Sequence, residues 1–363
     1  MNESRLIDLF LRLAAIEALS QHEAPLAGFV AEFLTGLGLK PFRDDSRDST
    51  GSDTGNLVCR VGDGGEALFL AHMDTARSTA GVRPQVREDR IVSDGTTVLG
   101  VDNRAGMALI LHALETHLAG GRPANFTVAF TVCEETTLAG SLALELDPRL
   151  RKCFIFDSSL PPGSFITSGS GAKTFSVAVR GVAAHSGLAP EKGINAIAVA
   201  ARALARVEQG RVNESTTVNV GTFRGGTAVN VVSESAELLG EVRSRDMAVI
   251  DETLFRIRAH FAQETHAAGA GLDFREQWDF RPYDIPADAP VHRDVAAALA
   301  AVGLTPNPVA SLAGSDANSL NGRGLPAINL GIGAQNPHAN DEFILRADLR
   351  RACALALELM ARS

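Results

Sequence analysis

Histidine and carboxylate side chains repeatedly follow apolar stretches of this sequence. His72 and Asp74 close the run ALFLAHMD, and Glu134 and Glu135 follow the run TVAFTVC. Side chains alternate along a strand, so His72 and Asp74 share one face. An imidazole and a carboxylate on one face can act as a metal ligand and the residue that orients it. A histidine near a strand end is more often structural, so this pair alone is a weak signal.

The adjacent acids Glu134 and Glu135 can divide two tasks where their strand ends. Neighbouring side chains point to opposite sides of an ideal strand, so one acid can hold a metal while the other faces a bound water. Two acids crowded at the end of a buried strand are costly unless cations neutralise them. A solvated loop edge is the competing interpretation of this pair.

Three further residues are also carboxylate or histidine side chains near the ends of predicted elements. Asp102 lies in VLGVDNRAG, where a strand-to-helix loop begins a helix, and its carboxylate is either a helix cap or a bridge between two cations. Asp157 ends the apolar strand CFIFD, and His338 follows the strand PAINLGIG. Ligands of open α/β sheets bind at the carboxyl ends of the strands. Five positions of this kind together indicate a metal site.

The elements that would position these residues alternate between helices and strands. Residues 4–18 have apolar side chains near helical spacing, and Ser20 with Glu23 resembles a capping box before a helix that contains Pro25 and runs to about Leu37. Residues 41–55 read as a loop, and NLVCRV, ALFLAHMD, NFTVAFTVCEE and KCFIFD read as strands. This alternation predicts an α/β sheet with helices on both faces.

The pattern changes near Lys173. The segment KTFSVAVRG alternates with period two, as a half-buried strand does. A helix at about 191–207, strands near 216–223 and 236–245, a helix near 247–267 and a strand near 272–280 follow. We therefore predict a metal-binding domain from residues 1–172 and 284–363, interrupted by a small α+β domain, residues 173–283, with one open sheet face.

Composition excludes several classes of partner. The 363 residues carry a formal net charge of −9 and show no cluster of lysine and arginine, so nucleic-acid binding is not expected. No apolar run approaches the roughly 18 residues that span a bilayer. The four cysteines form no CxxC pair and are expected to be reduced. The acidic, amphipathic N-terminal stretch does not resemble a secretory signal, so we expect a cytoplasmic protein.

Eight motifs, in order, resemble the M20 metallopeptidases, and specifically their peptidase T-like branch. They are AHMDT, GVDNRAG, CEET, FIFD, GVAAHSGLAPEKGINAI, AVNVVSESAELLGEVRS, GSDAN and the loop around His338, and they cover nearly the whole chain. The resemblance implies a di-zinc exopeptidase-like catalytic domain, built on a mixed sheet with helices on both faces. The inserted domain then corresponds to the family's lid and dimerisation domain.

The resemblance also implies a metal-ligand set. His72, Asp102 and Asp157 resemble the ligands of one zinc ion. Asp102, Glu135 and His338 resemble those of a second, with Asp102 bridging the two. Zinc suits this mixture of imidazole and carboxylate ligands, although cobalt or manganese can occupy such a site.

The catalytic roles that the resemblance implies fall on Asp74, Glu134 and His185. Asp74 matches the residue that orients His72, and Glu134 matches the general base. His185 matches a histidine that reaches the active site of the partner subunit and stabilises the developing oxyanion. The Asp102–Asn103 peptide bond is expected to be cis, and Asn103 departs from the second aspartate that many family members have there.

Substrate contacts are implied at four positions. Asn230 and Arg243 match lid residues, and the guanidinium fork of Arg243 suits a carboxylate. Gly314 and Ser315, with the following Asp316, match a loop that lines the pocket.

These implications lead to metal-assisted hydrolysis of an amide bond by a homodimer with two divalent ions per site. A tripeptide aminopeptidase is the leading interpretation. A carboxypeptidase or a deacylase of N-acyl amino acids on the same scaffold is the alternative, and a non-catalytic binding protein is a third that the intact Glu134 argues against. A dehydrogenase is excluded because no GxGxxG follows the first strand.

Overall fold

The computed structural model describes residues 2–363, which divide into two compact units. The first comprises residues up to Ser168, Asp284–Ala310 and Ser315–Ser363, and the second comprises Gly169–Tyr283 and Ser311–Gly314. The α-helices are α1 (Glu3–Ala14), α2 (Ala24–Gly36), α3 (Arg47–Thr50), α4 (Val101–Ala119), α5 (Glu134–Thr137), α6 (Ala139–Ala143), α7 (Ala196–Leu204), α8 (Met247–Ala268), α9 (Pro290–Ala301), α10 (Asp316–Gly322) and α11 (Arg346–Ala361).

The strands follow in the same chain order. They are β1 (Phe42–Arg43), β2 (Leu57–Val61), β3 (Ala67–His72), β4 (Gln85–Val86), β5 (Arg90–Val92), β6 (Phe126–Thr131), β7 (Lys152–Ser158), β8 (Ser164–Gly169), β9 (Gly171–Arg180), β10 (Gly210–Asn213), β11 (Thr216–Gly225), β12 (Ser235–Ser244), β13 (Gly271–Phe280), β14 (Tyr283–Asp284), β15 (Asn307–Ser311), β16 (Ala327–Gly331), β17 (Ala334–Gln335) and β18 (Phe343–Leu345). A single 3₁₀ turn lies at Pro190–Lys192.

The first unit is built on a nine-stranded mixed sheet. Its order is β1-β2-β6-β3-β7-β16-β8-β14, and β15 pairs with β8. The pairs β6–β3, β3–β7 and β7–β16 are parallel, so these four strands end at one edge of the sheet. Every residue of β3 and of β6 is buried, which means that both faces of the sheet centre are covered. The predicted α/β fold class is confirmed.

Helix α4 lies against the parallel strands, and helices α1 and α11 pack on it. Leu6, Leu9, Phe10 and Leu13 of α1 recur at helical spacing and are all buried. The Asn2 side chain accepts a hydrogen bond from the Arg5 amide and caps this helix. Helix α1 thus begins where the sequence pattern predicts it.

Two local predictions were wrong. Ser20 and Glu23 form no capping box: α2 begins at Ala24, the Ser20 hydroxyl donates to Asp74, and the Glu23 side chain turns into the interior instead of capping the helix. The acids Glu134 and Glu135 do not end a strand, because β6 stops at Thr131 and the pair opens the short helix α5. In both cases tertiary contacts override the local pattern.

A second, four-stranded antiparallel sheet of the first unit has the order β17-β18-β5-β4. Strands β17 and β18 pair directly, with Ala334 opposite Ile344. The loop between them, residues 336–342, carries His338 and Glu342. This small sheet therefore fixes both ends of the loop that the sequence predicts to hold a metal ligand.

The second unit consists of a five-stranded antiparallel sheet and two helices. The strand order is β10-β11-β12-β9-β13. Alternate residues of β12 are buried and exposed, as expected for a sheet covered on one face. Helices α7 and α8 supply the covering face, with a core that includes Phe175, Val242, Leu254 and Phe261. The predicted α+β unit with one open sheet face is confirmed.

Within residues 2–363, none of the helices combines the length and the apolar character that a membrane crossing requires.

Candidate active site

The predicted metal ligands of the first unit gather at the carboxyl edge of its parallel strands. His72 is the last residue of β3, and Asp157 lies at the end of β7. Asp102 stands in the first turn of α4, and Glu135 in the first turn of α5. His338 belongs to the loop between β17 and β18. Five residues from five separate segments therefore converge on one place.

One group of ligand atoms surrounds the His72 ring. Its Nε2 atom lies 2.9 Å from Asp102 Oδ1 and 3.2 Å from Asp157 Oδ1. All three side chains can offer one ligand atom within 4.8 Å of each other. His72 is buried, and these separations leave no room for a water molecule between the groups.

A second group shares Asp102 with the first. The His338 Nε2 atom lies 3.4 Å from Asp102 Oδ2 and 3.1 Å from Glu135 Oε1. The two oxygens of Asp102 thus face different histidines, one in each group. A carboxylate in this position can bridge two cations.

The donor atoms fit metal ions. A tetrahedral zinc site with bonds of about 2.0–2.2 Å places its ligand atoms roughly 3.3 Å apart, and the separations of 2.9–3.4 Å match that spacing. The Oδ1 atom of Asp157 is buried and has no hydrogen-bond partner among the described residues, although it points at His72. A buried carboxylate oxygen needs a partner, and a cation supplies one. Each group is therefore suited to one metal ion.

Burial and mutual repulsion raise the pKa of two acids at the site, Asp157 and Glu134. Burial raises the pKa of Asp157 to about 7, and the negative charge of Asp102 adds to this effect. Burial also raises the pKa of Glu134 well above its usual range; the positive charge of His72 opposes this shift, whereas Asp157 and Asp316 add to it. Crowded buried carboxyl groups cannot all ionise without positive charge nearby.

The pKa values of the two histidines are raised as well, here by the negative charges around them. Burial alone would lower the pKa of His72, but the charge of Glu134 and contacts with Asp102 and Asp157 raise it well above the usual value. Hydrogen bonds to Asp102 and Glu135 raise the pKa of His338 to about 10. The same negative charge that holds protons here attracts divalent cations, so protons and metal compete for these positions.

Asp74 contacts both the His72 ring and two backbone amides of the site. The His72 Nδ1 atom lies 3.1 Å from the Asp74 carbonyl oxygen, which only accepts, so Nδ1 donates and Nε2 faces the carboxylates. The Asp74 carboxylate lies 3.5 Å from the same Nδ1. It also accepts hydrogen bonds from the Ser20 hydroxyl and from the backbone amides of Glu134 and Glu135.

The peptide bond between Asp102 and Asn103 is cis, as the sequence motif predicts. The Asn103 side chain is buried, and its Oδ1 atom accepts a hydrogen bond from the Gly106 amide at 3.0 Å. The asparagine that departs from the family pattern thus serves the first turn of α4.

Two buried charged residues near the site escaped the sequence analysis. Glu342 accepts hydrogen bonds from the amides of Leu99 and Gly100 at 2.9 and 2.7 Å, and from Asp102 at 3.3 Å. Arg104 is fully buried, and its guanidinium donates to the carbonyl of Met73. Burial lowers the pKa of Arg104 to about 10, and the negative charges of Asp74 and Glu23 oppose this shift. Glu342, four residues after His338, was visible in the sequence, but nothing local distinguished it from a solvated acid.

In the second unit, the predicted functional side chains lie on exposed segments. His185 is exposed, and its Nδ1 atom accepts hydrogen bonds from the amides of Gly187 and Leu188, both at 3.2 Å. An Nδ1 that accepts carries no proton, so the proton of the neutral ring sits on Nε2. Asn230 is exposed, and its backbone carbonyl oxygen accepts a hydrogen bond from the Ser186 amide.

Arg243 lies on the open face of the second sheet and is already paired. Its Nε and Nη2 atoms donate to the two carboxylate oxygens of Glu241, both at 3.0 Å. The guanidinium also stacks on the Phe280 ring, 5.6 Å from its centroid. A substrate carboxylate at this position would have to share or displace Glu241.

Gly314 and Ser315 occupy structural positions. A Cβ atom on Gly314 would lie 2.5 Å from the Phe280 ring, so only glycine fits. The Ser315 hydroxyl accepts from the Ala317 amide and caps helix α10. Asp316, the next residue, is buried and accepts from the Thr131 hydroxyl at 2.7 Å.

Comparisons with known proteins extend these observations. A family model described as the M20 peptidase dimerisation domain matches residues 167–268. An uncharacterised protein of Bacillus subtilis, YqjE, is 31% identical over 366 residues, which cover 99% of this chain and 98% of that protein.

Solved structures of similar sequence share the fold across both chains. The aminopeptidase PepT of Bacillus cereus is 30% identical with a TM-score of 0.89, covering 99% of this chain and 98% of that one. A tripeptidase of Staphylococcus aureus is 29% identical with a TM-score of 0.94, and all of both chains is covered. These likenesses place the chain in the M20 family of metallopeptidases, in its peptidase T-like branch.

Proposed function

We propose that the protein is a two-metal aminopeptidase that removes the N-terminal residue of tripeptides. The observation that carries the proposal is the geometry of Asp102, whose two oxygens face the two histidine-containing ligand groups. The similar aminopeptidase and tripeptidase structures, which extend over essentially the whole chain, support the substrate class.

The residues that would hold the metal ions follow from the two groups. His72 and Asp157 would bind one ion, Glu135 and His338 the other, and Asp102 both. We propose zinc as the native metal because mixed imidazole and carboxylate donors suit it, with cobalt and manganese as substitutes. When bound, two such ions lower the pKa of a water molecule and polarise the scissile carbonyl.

Glu134 is the proposed general base. Its backbone amide is held by Asp74, and its carboxyl group lies within the electrostatic reach of His72 and Asp157. Burial raises the pKa of this carboxyl group, which suits it to take a proton from water and then deliver it to the leaving amine. Asp74 contributes by holding both the His72 ring and the Glu134 backbone.

The second unit is proposed to be the lid and dimerisation domain, residues 173–283, and the remainder, 1–172 and 284–363, the catalytic domain. The match to a peptidase dimerisation domain supports a homodimer. In such a dimer, His185 would serve the partner's active site. The hydrogen bonds to its Nδ1 leave Nε2–H as the available donor, which is what an oxyanion requires.

Four residues remain proposed substrate contacts, and they differ in whether their side chains are free to bind: Asn230, Arg243, Gly314 and Ser315. The Asn230 side chain is exposed, whereas the Arg243 fork is bound to Glu241. Gly314 packs against Phe280, and Ser315 caps a helix. These contacts favour a role in shaping the pocket wall over direct binding of the substrate. A cytoplasmic location, which the sequence predicts, belongs to the same proposal.

Product analysis by mass spectrometry tests this function. The zinc-loaded protein would be given di- and tripeptides, some N-acetylated and some C-amidated. We expect cleavage of tripeptides only when the N-terminus is free. Cleavage that tolerates acetylation but needs a free C-terminus would instead establish the carboxypeptidase or deacylase alternative. No turnover by protein that binds two metal ions would refute the proposal and favour a binding protein.

The variant Glu134→Gln tests the proposed base in the same assay. We expect kcat to fall by about 10²–10⁴-fold, because proton transfer by a positioned side chain contributes that much, while both metal ions remain bound. Glu358→Gln, the same change on the surface of α11, is the matched control and should keep full activity. Loss of a metal ion in Glu134→Gln would show that Glu134 is a ligand.

A further inference from the structure

Four consecutive backbone amides at the site are each held by a buried side chain. The chain leaves the sheet at Thr131, and the next four residues lead into the proposed base and metal ligand. The bonds, with donor to acceptor distances, are Val132 N to Asn56 Oδ1 at 3.0 Å, Cys133 N to Glu23 Oε1 at 2.9 Å, Glu134 N to Asp74 Oδ1 at 3.0 Å, and Glu135 N to Asp74 Oδ2 at 3.1 Å. Beyond the end of β6, side chains from three distant segments thus provide the hydrogen-bond acceptors that neighbouring strands provide within the sheet.

Glu23 belongs to this set, although the sequence pattern suggested a helix cap for it. It is fully buried, and it is 110 residues distant in sequence from Cys133. Its Oε1 atom accepts from the amides of Gln21 and Cys133 and from the Cys133 thiol at 3.5 Å. Its Oε2 atom accepts from the Ser52 hydroxyl at 2.5 Å. A buried carboxyl group with four donors is held in one orientation.

The backbone that Glu23 holds is one that the chain does not adopt readily. Cys133 has a φ of 51°, in the left-handed region that residues other than glycine seldom occupy. Helix α5 has only four residues, so its own hydrogen bonds fix little of the segment. The opposite side is closed by Gly140, where a Cβ atom would lie 2.1 Å from the Val132 carbonyl oxygen.

We propose that Glu23 is a positioning residue for the reaction: through the Cys133 amide it fixes the turn that presents Glu134 as base and Glu135 as metal ligand. Glu23 touches neither of these side chains. Its effect passes through one backbone hydrogen bond and through the conformation of Cys133. This inference rests on the roles proposed for Glu134 and Glu135.

The test compares three variants of the full chain. Glu23→Ala removes the acceptor, Glu23→Gln keeps one oxygen for the Cys133 amide, and Thr127→Val removes a buried hydrogen bond from the far end of β6. The variants would be measured with saturating zinc for kcat and KM, by metal titration for the affinity of each ion, and by hydrogen exchange of residues 130–138. Thermal melting would report any loss of stability.

We expect Glu23→Ala to lower kcat by at least about tenfold with little change in KM, because the reacting groups lose alignment while the substrate contacts stay. The affinity for the ion that Glu135 binds should fall by about 10–100-fold, the usual effect of losing an outer support of a metal ligand. Hydrogen exchange of the Cys133–Glu135 amides should become at least tenfold faster. Glu23→Gln should restore most of each property, and Thr127→Val should change only stability.

A purely structural role for Glu23 would overturn the inference. In that case the melting temperature would fall equally in Glu23→Ala and Thr127→Val, while kcat, metal affinity and local hydrogen exchange would be unchanged in both. Failure of the proposed function is a separate result, namely a wild-type protein that binds two ions and cleaves no peptide. In that event, exchange at Cys133–Glu135 and metal affinity decide the positioning role by themselves.

Discussion

Gly106 provides a sharp test of how the fold holds the first ligand group, because the same substitution at two glycines should have opposite effects. Gly106 lies one turn into α4, where its backbone passes close to β7. A Cβ atom there would lie 1.9 Å from the Phe156 carbonyl oxygen and 2.2 Å from Asn103 Oδ1. Gly28, in the middle of α2, has no atom within 4 Å of the corresponding position.

The expected magnitudes follow from these distances. Replacing an unobstructed helical glycine by alanine gains about 0.5–1 kcal/mol, so Gly28→Ala should be stabilising. In Gly106→Ala the added methyl group meets backbone about 1.5 Å short of the 3.4 Å at which ordinary contact begins. Overpacking of a core costs about 1–3 kcal/mol, and a backbone obstacle favours the upper end. We therefore expect Gly106→Ala to lose about 2 kcal/mol net, roughly 3 kcal/mol below Gly28→Ala.

The strain of Gly106→Ala should also reach the metal site. Asp102 lies four residues before Gly106 on α4, and Asp157 follows Phe156 on β7, so separating helix from strand moves two ligands of one group apart. Metal ligands tolerate errors of only about 0.2 Å. We expect the affinity of the ion shared by His72, Asp102 and Asp157 to fall at least about tenfold.

Urea unfolding of both variants measures the stability difference, and zinc titration with a competing chelator measures the affinity. A Gly106→Ala variant that is as stable as the wild type and binds both ions normally would contradict these expectations. A destabilised Gly28→Ala would remove the control, since it would show that helix propensity does not govern that position.

Two further predictions concern the loop before Asp102 and the metal itself. Glu342→Ala leaves the buried amides of Leu99 and Gly100 without acceptors, at a cost of about 1–3 kcal/mol each, so urea unfolding should show a loss of about 2–6 kcal/mol. A loss below about 1 kcal/mol would mean that water replaces the carboxylate. Removal of metal by a chelator should lower the melting temperature and abolish peptide cleavage, because ligands that bind only the folded state stabilise it, and zinc should restore both. If the melting temperature and the activity were unchanged after treatment with the chelator, that result would contradict the presence of a metal site.

Much of the fold was accessible from pattern alone. The run ALFLA before His72 is hydrophobic at every position, as strands buried on both faces must be, and β3 is buried throughout. The period-two pattern after Lys173 likewise marked a sheet with one covered face, which β9 and β12 form. The spacing of apolar residues predicts these strands correctly because it depends on whether one face or both faces of a strand are covered by other elements.

Local pattern failed where a side chain serves a distant segment. Ser20 and Glu23 have the types and spacing of a helix cap, yet Ser20 bonds Asp74, and Glu23 bonds Cys133 and Ser52. Carboxyl and hydroxyl groups accept or donate wherever a partner is close, and the sequence does not state which partner that will be. The competition is decided by packing, because a buried amide without an acceptor costs more than a helix end left to water.

The sequence by itself determined which residue types end the central strands, and hence the kind of chemistry at that edge. Its motifs also assigned the chain to a family, and through that family named Asp102 as a bridge. Only the tertiary structure decided what holds these groups in place: Glu342 binds amides of the loop before Asp102, Arg104 binds the Met73 carbonyl, and Glu23 binds the Cys133 amide. The physical reason is that a ligand type is a property of one residue, whereas its orientation depends on hydrogen bonds between segments that lie far apart in the chain.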